Sequence, residues 1–379
     1  LKDLATFLVV HPYLDIYGGG ERVCHNVIKT LLVNGQRVEL LTFNFDSDKY
    51  RDIVGEDLSK EVVIHSLGKR IEVKPPFTIY KRHRNFVNLL KRYKNKLDYD
   101  YLFSTQSSSP FEPIFLSKAR KNIAYVHFPE IHYDYARGNF KRKLYLWLFK
   151  RWVEQGIGKL DLILCNSNYT KDAIERYWKN RYVKGPVVVY PPVNLSKFWC
   201  DKPMSERKKR VVYVARFIPA KRHEIMKHLA SDIPDCEFIS IGGLIDAEKA
   251  WFDNFNKNLP PNYSLKTNLP GNQLLDILQN SRIYVHLMEG EHFGIAPIEG
   301  LASGCITVVH DSGGMQEFIP EEFRWKTYFD LKDKIVNLTD RVDKDSYWEK
   351  KRESLWRDIS VLTPENFQNN IWSLIQTFS

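Results

Sequence analysis

Short apolar runs, each the length of one buried strand, alternate along this chain with stretches of helical period, and the alternation occurs twice. Runs at 4–10, 37–43, 101–103, 122–126, 161–165 and 187–190 read as strands, with helical patterns at 21–33 and 168–178 between them. Pro191-Pro192 breaks that series, and a polar stretch over 201–209 reads as a linker. The series restarts at 210–215, 237–241, 283–287 and 306–309, with helical patterns at 221–230, 272–279 and 295–303. Parallel strands need long crossovers, and those crossovers lay helices on both faces of the sheet. The chain is therefore predicted to be α/β, with two Rossmann-like, doubly wound domains over 1–195 and 196–360. A final amphipathic helix, within 361–379, is placed to cross back to the first domain. Two such domains imply a cleft. Open sheets of this class bind ligands at the carboxyl ends of their strands, so the loops after strands are where a site belongs.

Composition excludes several classes. The chain has 379 residues, 43% hydrophobic and 27% charged, a globular profile rather than a collagenous or disordered one. Its apolar runs, such as Phe7-Leu8-Val9-Val10, fall far short of the ~20 residues that span a bilayer. The start, Leu1-Lys2-Asp3-Leu4, leads into a strand and does not read as a signal peptide. It is not a Met, which leaves room for a removed upstream anchor. Five scattered cysteines without a C-x-x-C pair argue against a zinc site or a disulfide framework, and fit a reducing compartment. Four Asn-x-Ser/Thr triplets are then chance matches. Residues 1–200 hold 33 Lys and Arg against 20 Asp and Glu, whereas 201–379 hold 23 against 26. The first half is thus built to meet something negative: a membrane surface, a phosphate-bearing substrate or a nucleic acid.

Four loops after strands carry candidate chemistry. After the first strand, His11-Pro12-Tyr13 leads to Gly18-Gly19-Gly20-Glu21-Arg22, and a glycine turn into a helix N-terminus can cradle a pyrophosphate. At the start of the second domain, Arg216 and Lys221 flank a short loop and can reach one phosphate, Arg as a fork and Lys as a point charge. Glu291 and Glu299 bracket Phe293-Gly294-Ile295, with seven residues between them. Pro297 belongs in a first helical turn, which leaves Glu291 in the loop and Glu299 inside the helix. Carboxylates accept from sugar hydroxyls, and the intervening N–H groups can donate. His127, in Tyr125-Val126-His127-Phe128-Pro129, reads equally as a substrate contact or a structural imidazole.

Two basic segments stand apart. Over 84–97 the apolar Phe86, Leu89, Leu90, Tyr93 and Leu97 share one helical face, and 81–96 holds seven Lys and Arg with no acid. Residues 141–153 mix cations with two Trp. Such helices either lie in a membrane interface or turn a solvated basic back to water.

The Glu-His-Phe-Gly-Ile stretch with Glu299, the Arg216–Lys221 pair, the glycine loop, Gly242-Gly243, Asn268-Leu269-Pro270 and Ser312-Gly313-Gly314 together resemble retaining glycosyltransferases of family 4, which have the GT-B fold. Val126-His127-Phe128-Pro129 and the His11 loop are similar to the GDP-mannose-dependent α-1,2-mannosyltransferases of the dolichol-linked N-glycan pathway. The resemblance implies a retaining hexosyl transfer, with mannose from GDP-mannose as the best match, to a polyprenyl-linked or other glycan acceptor at the cytosolic face of a membrane. It implies that Glu291 holds the donor sugar hydroxyls and Glu299 the ribose. Backbone groups of Phe293, Gly294 and Ile295 hold the sugar, with Gly242 and Leu269 also at the donor. Arg216 and Lys221 neutralise the leaving diphosphate, Gly19 and Gly20 let the first domain close on it, and His127 lies near the reacting carbon.

Neither Asp46-Ser47-Asp48 nor Asp98-Tyr99-Asp100 sits on a donor loop, so no metal and no cofactor are expected. The partners expected are a nucleotide sugar, the glycan acceptor and an anionic membrane surface met by the basic first domain, not nucleic acid. Two alternatives stay open: a UDP-sugar donor for another glycan, and a non-catalytic sugar-nucleotide binder.

Overall fold

The computed structural model describes the chain except residues 1–3, 15–17, 44, 70–72, 94–97, 106–113, 115, 180, 342–344 and 379. It divides into two units, Leu1–Pro192 with Pro364–Ser379, and Val193–Thr363. Both are parallel, Rossmann-like sheets covered by helices, as the sequence predicts.

The first unit orders its strands β3-β2-β1-β4-β5-β6-β7. They are β1 Thr6–Val10, β2 Arg37–Thr42, β3 Val63–Ser66, β4 Tyr101–Ser104, β5 Lys121–Val126, β6 Leu162–Cys165 and β7 Val187–Val188. Its helices are α1 Gly19–Val33, α2 Ser47–Val54, α3 Thr78–Arg92, α4 Glu130–Arg137, α5 Phe140–Ile157 and α6 Asn168–Trp178. Successive strand residues point to opposite faces. Phe7, Val9, Phe103, Ile123 and Tyr125 join one core with Val27, Ile28 and Leu31 of α1. Leu8, Val10, Leu102, Ala124 and Val126 join another with Phe86 and Leu90 of α3 and Phe149, Val153 and Ile157 of α5. Being buried on both faces is why these strands read as unbroken apolar runs.

The second unit orders its strands β10-β9-β8-β11-β12-β13. They are β8 Lys208–Val214, β9 Glu237–Gly242, β10 Tyr263–Thr267, β11 Ser281–Val285, β12 Ile306–His310 and β13 Arg324–Trp325. The helices are α7 Leu195–Phe198, α8 His223–Asp232, α9 Lys249–Phe255, α10 Gly271–Gln279, α11 Ile295–Ala302, α12 Tyr328–Arg341 and α13 Asp345–Ile359. The final helix, α14 Pro364–Phe378, belongs to the first unit. Its Phe367, Ile371 and Ile375 complete the α1 core, and its Gln368 side chain donates to Asn26, 3.3 Å away.

Three expectations need correction or division. The stretch 201–209 is not a free linker. Arg207 is buried there, donating to the carbonyl of Ser303 at 2.8 Å, and β8 has already begun at Lys208. The helix expected from 221 starts at His223, because Arg222 takes φ +58°, a left-handed geometry that ends the 3₁₀ turn Pro219–Lys221. The two basic segments divide. The apolar face of α3 turns inward at Phe86 and Leu90, while Leu97 lies outside the described residues. Among the described residues no helix is long and apolar enough to cross a membrane.

Candidate functional site

Strand order places the site in each unit. In the first, β1 lies between β2 and β4. In the second, β8 lies between β9 and β11. At these reversal points the connections leave in opposite directions and open a crevice at the carboxyl edge. The candidate loops after β1, β8 and β11 all start there.

In the second unit, three loops are stitched by their backbones. Ala215 N–H donates to Ile241 O at 2.9 Å, Phe217 N–H to Gly243 O at 2.9 Å, and Asn268 N–H to Gly242 O at 2.9 Å. Asn268 Oδ1 then accepts from Leu244 N–H at 3.1 Å. Gly242 is required at this crossing, since a Cβ there would stand 1.8 Å from Ala215 O. The stitching brings the backbones of Arg216, Gly242 and Leu269 to one edge.

Two buried side chains fix the cationic loop from beneath. Tyr213 Oη donates to the carbonyl of Lys221 at 2.8 Å. His223 Nε2 lies 3.1 Å from the carbonyl of Arg216, which can only accept, so that nitrogen carries the proton. Burial holds His223 down at about 4, so it stays neutral. Arg222, adjacent to Lys221, is neutralised by Glu289 at 2.5 Å. Arg216 and Lys221 have no such acid within ion-pair distance among the described residues. Two cations on an anchored loop without a direct ion pair, Lys221 within electrostatic reach of Glu291, are suited to an incoming anion.

Glu291 is the most perturbed carboxylate of the unit. Burial opposes its charge, but a 3.1 Å hydrogen bond from His286 Nε2 and the charges of His286, Lys221 and His292 outweigh burial and hold it at about 2. The N–H of His292 donates to its other oxygen at 3.1 Å. Its carbonyl accepts from Gly314 N–H at 2.8 Å, where Gly313 takes φ +80° and a Cβ would stand 2.2 Å from that carbonyl. Gly294, at φ +89°, turns the chain into α11, and a Cβ on it would meet Met315 Sδ at 2.4 Å. Phe293 is buried against Phe318, ring centroids 5.7 Å apart, and Ile295 is the first helical residue. Glu299 lies one turn into α11 on its buried face. The charges of Glu299 and Glu291 both reach the Tyr284 hydroxyl and raise it, after the larger effect of burial.

In the first unit, Gly20 abuts His11 and His127. A Cβ on Gly20 would lie 3.7 Å from His11 Cε1 and 3.8 Å from His127 Nε2, ordinary contact distances. The His127 carbonyl accepts from Asn166 Nδ2 at 3.1 Å and Thr170 Oγ1 at 3.2 Å. His11 Nδ1 donates to Thr105 O at 3.0 Å, and its Nε2 faces Glu21 Oε1 at 3.7 Å. The α1 N-terminus is partly satisfied from within, because Glu21 Oε2 accepts from Gly18 N–H at 2.8 Å. Burial of Glu21 is outweighed by His11 and the backbone N–H groups, which keep it ionised. Gly19, exposed, opens the helix beside it.

The structure thus brings Glu291, Phe293, Gly294 and Ile295 together with Lys221, sets Arg216, Gly242 and Leu269 along the same edge, and joins Gly20 to His127. His286, Tyr213 and His223 were not singled out in the sequence. The signal for His286 was a histidine inside an apolar strand five residues before Glu291. Among the described residues no three His, Cys, Asp or Glu side chains meet in a way that could hold a metal ion.

Comparison with known proteins adds to this geometry. Residues 17–197 match the model described as Glycosyltransferase Family 4, and residues 200–355 match Glycosyl transferases group 1. A Dictyostelium discoideum protein named GDP-Man:Man(3)GlcNAc(2)-PP-Dol alpha-1,2-mannosyltransferase is 25% identical over 84% of this chain and 74% of its own length. A Homo sapiens protein of the same name is 25% identical over 83% and 74%. One from Yarrowia lipolytica is 24% identical over 80% of this chain but only 57% of its own length. Among solved structures, Anabaena HepE in complex with UDP and glucose superposes with TM-score 0.73 at 12% identity, covering 98% of this chain and 100% of that one. Sucrose-phosphate synthase from Thermosynechococcus elongatus gives 0.71 at 16%, covering 98% of each.

Proposed function

This chain belongs to the glycosyltransferases, its two halves matching the family 4 and group 1 models, and from that premise we propose that it moves mannose from GDP-mannose to a lipid-linked glycan with retained configuration. The observation that carries the reading is the second unit's carboxyl edge, where an ionised, buried Glu291 lies within reach of the charge of Lys221. The names of the relatives support the donor and the acceptor class; a place at the cytosolic face of a membrane is part of the same proposal.

In this reading Glu291 accepts from the donor sugar hydroxyls and Glu299 from the ribose. Backbone N–H groups of Phe293, Gly294 and Ile295 orient the sugar, while Gly242 and Leu269 flank the nucleoside. The bond from the anomeric carbon to the diphosphate oxygen breaks, and negative charge grows on that oxygen. Arg216 and Lys221 meet it on a loop fixed by Tyr213 and His223, so little reorganisation is needed as the charge appears. Those cations supply what a divalent ion supplies elsewhere, and the reaction needs no metal or other cofactor. The acceptor oxygen bonds to the anomeric carbon on the face the diphosphate leaves, and its proton passes to the departing phosphate oxygen. No protein nucleophile is required. His127, backed by Gly20, contacts the sugar near the reacting carbon, and Gly19 with Gly20 leaves room for the diphosphate.

A UDP-sugar is the second reading, favoured by the fold's likeness to a protein solved with UDP and glucose. A donor screen with a polyprenyl-linked oligomannose acceptor separates the two. GDP release from GDP-mannose, matched by mannose gained on the acceptor, is the expected result. Turnover with UDP-glucose alone establishes the second reading. Tight donor binding without release to any acceptor makes the protein a binder.

A further inference from the structure

We propose that the outward face of α5, with the basic groove beside it, docks on an anionic lipid bilayer. This deepens the membrane part of the reading above, and it rests on residues that take no part in sugar transfer.

The face is an unpartnered apolar stripe. Phe140 is 80% exposed, Leu144 66%, Trp147 49% and Leu148 41%. At about 100° per residue these four share one side of the helix. Leu146, Phe149, Val153 and Ile157 occupy the other side and are buried against the sheet. A helix that serves only its own core has one apolar stripe; α5 has two, back to back. Bands of exposed apolar side chains on a soluble surface mark contact sites.

Charge selects the occupant. Residues 140–153 hold Lys141, Arg142, Lys143, Lys150 and Arg151 and no acid; α3 holds Lys81, Arg82, Arg84, Lys91 and Arg92 and no acid. The Arg151 guanidinium lies 5.5 Å over the Trp147 ring, at the level where an interfacial tryptophan meets headgroups. Between α3 and α5 runs a groove of about 330 Å³ lined by Tyr80, Lys81, His83, Arg84, Lys91 and Trp152. Cations over aromatic walls suit a phosphate headgroup, while the stripe suits acyl chains. Arg142 and Lys150 are already paired with Asp134 and Glu154, but Lys141, Lys143, Arg151 and the α3 cations have no acid within ion-pair distance among the described residues. A protein partner with an apolar face would leave those cations unpaired, whereas an anionic bilayer meets both at once.

The two helices present this surface as one body. Tyr80 Oη donates to the carbonyl of Tyr145, the His83 and Trp152 rings stack at 4.8 Å, and Phe77 stacks on Tyr145 at 6.1 Å. Binding therefore needs little ordering of the chain, which favours affinity.

Vesicle co-sedimentation of the whole chain, with neither donor nor acceptor present, tests this. Phosphatidylcholine vesicles containing about one-third phosphatidylserine are expected to bind the protein at least about tenfold better than phosphatidylcholine alone, and added salt is expected to weaken the binding. Leu144→Glu with Trp147→Glu should abolish it, and Lys81→Glu with Arg84→Glu should remove the preference for anionic lipid. Circular dichroism and melting should show all variants folded. Equal binding to both vesicle types, or full binding by the Leu144→Glu/Trp147→Glu variant, overturns the proposal. So does a lipid-free dimer that this variant dissolves, since the stripe is then a contact between copies. Failed docking leaves sugar transfer standing, and failed turnover leaves docking standing.

Discussion

His286 Nε2 donates to Glu291 Oε2 across 3.1 Å, and that bond does most to keep a buried carboxylate charged at the mouth of β11. The folded carboxyl titrates at about 2 against an ordinary 4.5. Its ionisation therefore stabilises the fold fully above 4.5, and the contribution is lost as pH falls towards 2. His286→Leu removes the largest contact that favours the charge, leaving Lys221, His292 and the His292 N–H against burial, and the carboxyl should rise from about 2 towards its ordinary value or beyond. We expect the acid limb of GDP-mannose binding, measured by calorimetry against pH, to move up towards 4.5 or beyond in His286→Leu. His286→Gln retains a donor and should largely restore the original limb. A profile unmoved in His286→Leu removes the role assigned to this bond.

The cationic loop makes a kinetic prediction. Arg216→Ala and Lys221→Ala each remove a fixed charge from the departing diphosphate, which is commonly worth ~10²–10³ in rate. Turnover number should fall by at least about a hundredfold in each, with melting little changed because neither side chain forms an ion pair within the fold among the described residues and Lys221 acts on Glu291 only at a distance. In the unmodified enzyme, excess chelator should leave the rate intact. Near-normal rates in both variants, or a strict requirement for added magnesium, would show that the charge comes from elsewhere.

Two glycines should respond in opposite ways. Gly242→Ala drives a methyl to 1.8 Å from Ala215 O and must part the ends of β8 and β9. A loss of about 1–3 kcal/mol is expected, lowering the melting midpoint of the second unit by about 2–4 °C per kcal/mol. Gly20→Ala meets nothing closer than 3.7 Å and should melt normally. Its methyl fills the notch beside His127, so turnover should drop without loss of stability. An unstable Gly20→Ala, or a fully active one, contradicts the assignment of that notch to substrate.

Much of this was legible in the sequence because the central strands are buried on both faces and read as apolar runs. Of the four edge strands only β7 was read, within 187–190; the other three were not. Val63–Ser66, Tyr263–Thr267 and Arg324–Trp325 are short and carry polar or half-exposed residues, so nothing in their composition separates them from loop. The site loops announced themselves through Gly, Pro and charge, but their supports did not. His286, Tyr213 and His223 sit in or beside strand and helix runs, where a sequence reading assigns them to the core. Their bonds to Glu291, Lys221 and Arg216 are local, five to eight residues apart, and depend on how each loop turns back on its own strand or helix end, which neither composition nor periodicity records. The stripe on α5 was hidden for a related reason. Both of its faces are apolar, so its periodicity is weak, and only the packing against β5 and β6 tells inner from outer.

His223 yields a stability prediction of the same sign as that of Glu291, in a higher pH window. Burial lowers its folded titration to about 4 from an ordinary 6.5, although the Arg216 carbonyl favours the proton and only the smaller charge effect of Lys221 adds to burial. The unfolded chain therefore takes up a proton that the folded one refuses. Stability of the second unit should fall as pH drops from 6.5 towards 4, by up to about 2–3 kcal/mol from this residue. Urea denaturation at pH 7 and pH 5, followed by tryptophan fluorescence, measures the slope. In His223→Gln the side chain can still donate to the Arg216 carbonyl but cannot titrate, so the slope between those pH values should flatten while turnover at pH 7 is largely kept. An unchanged slope would place the acid sensitivity on other groups, and a flattened slope with lost turnover would show that a donor to the Arg216 carbonyl is not enough and the loop needs the imidazole ring itself.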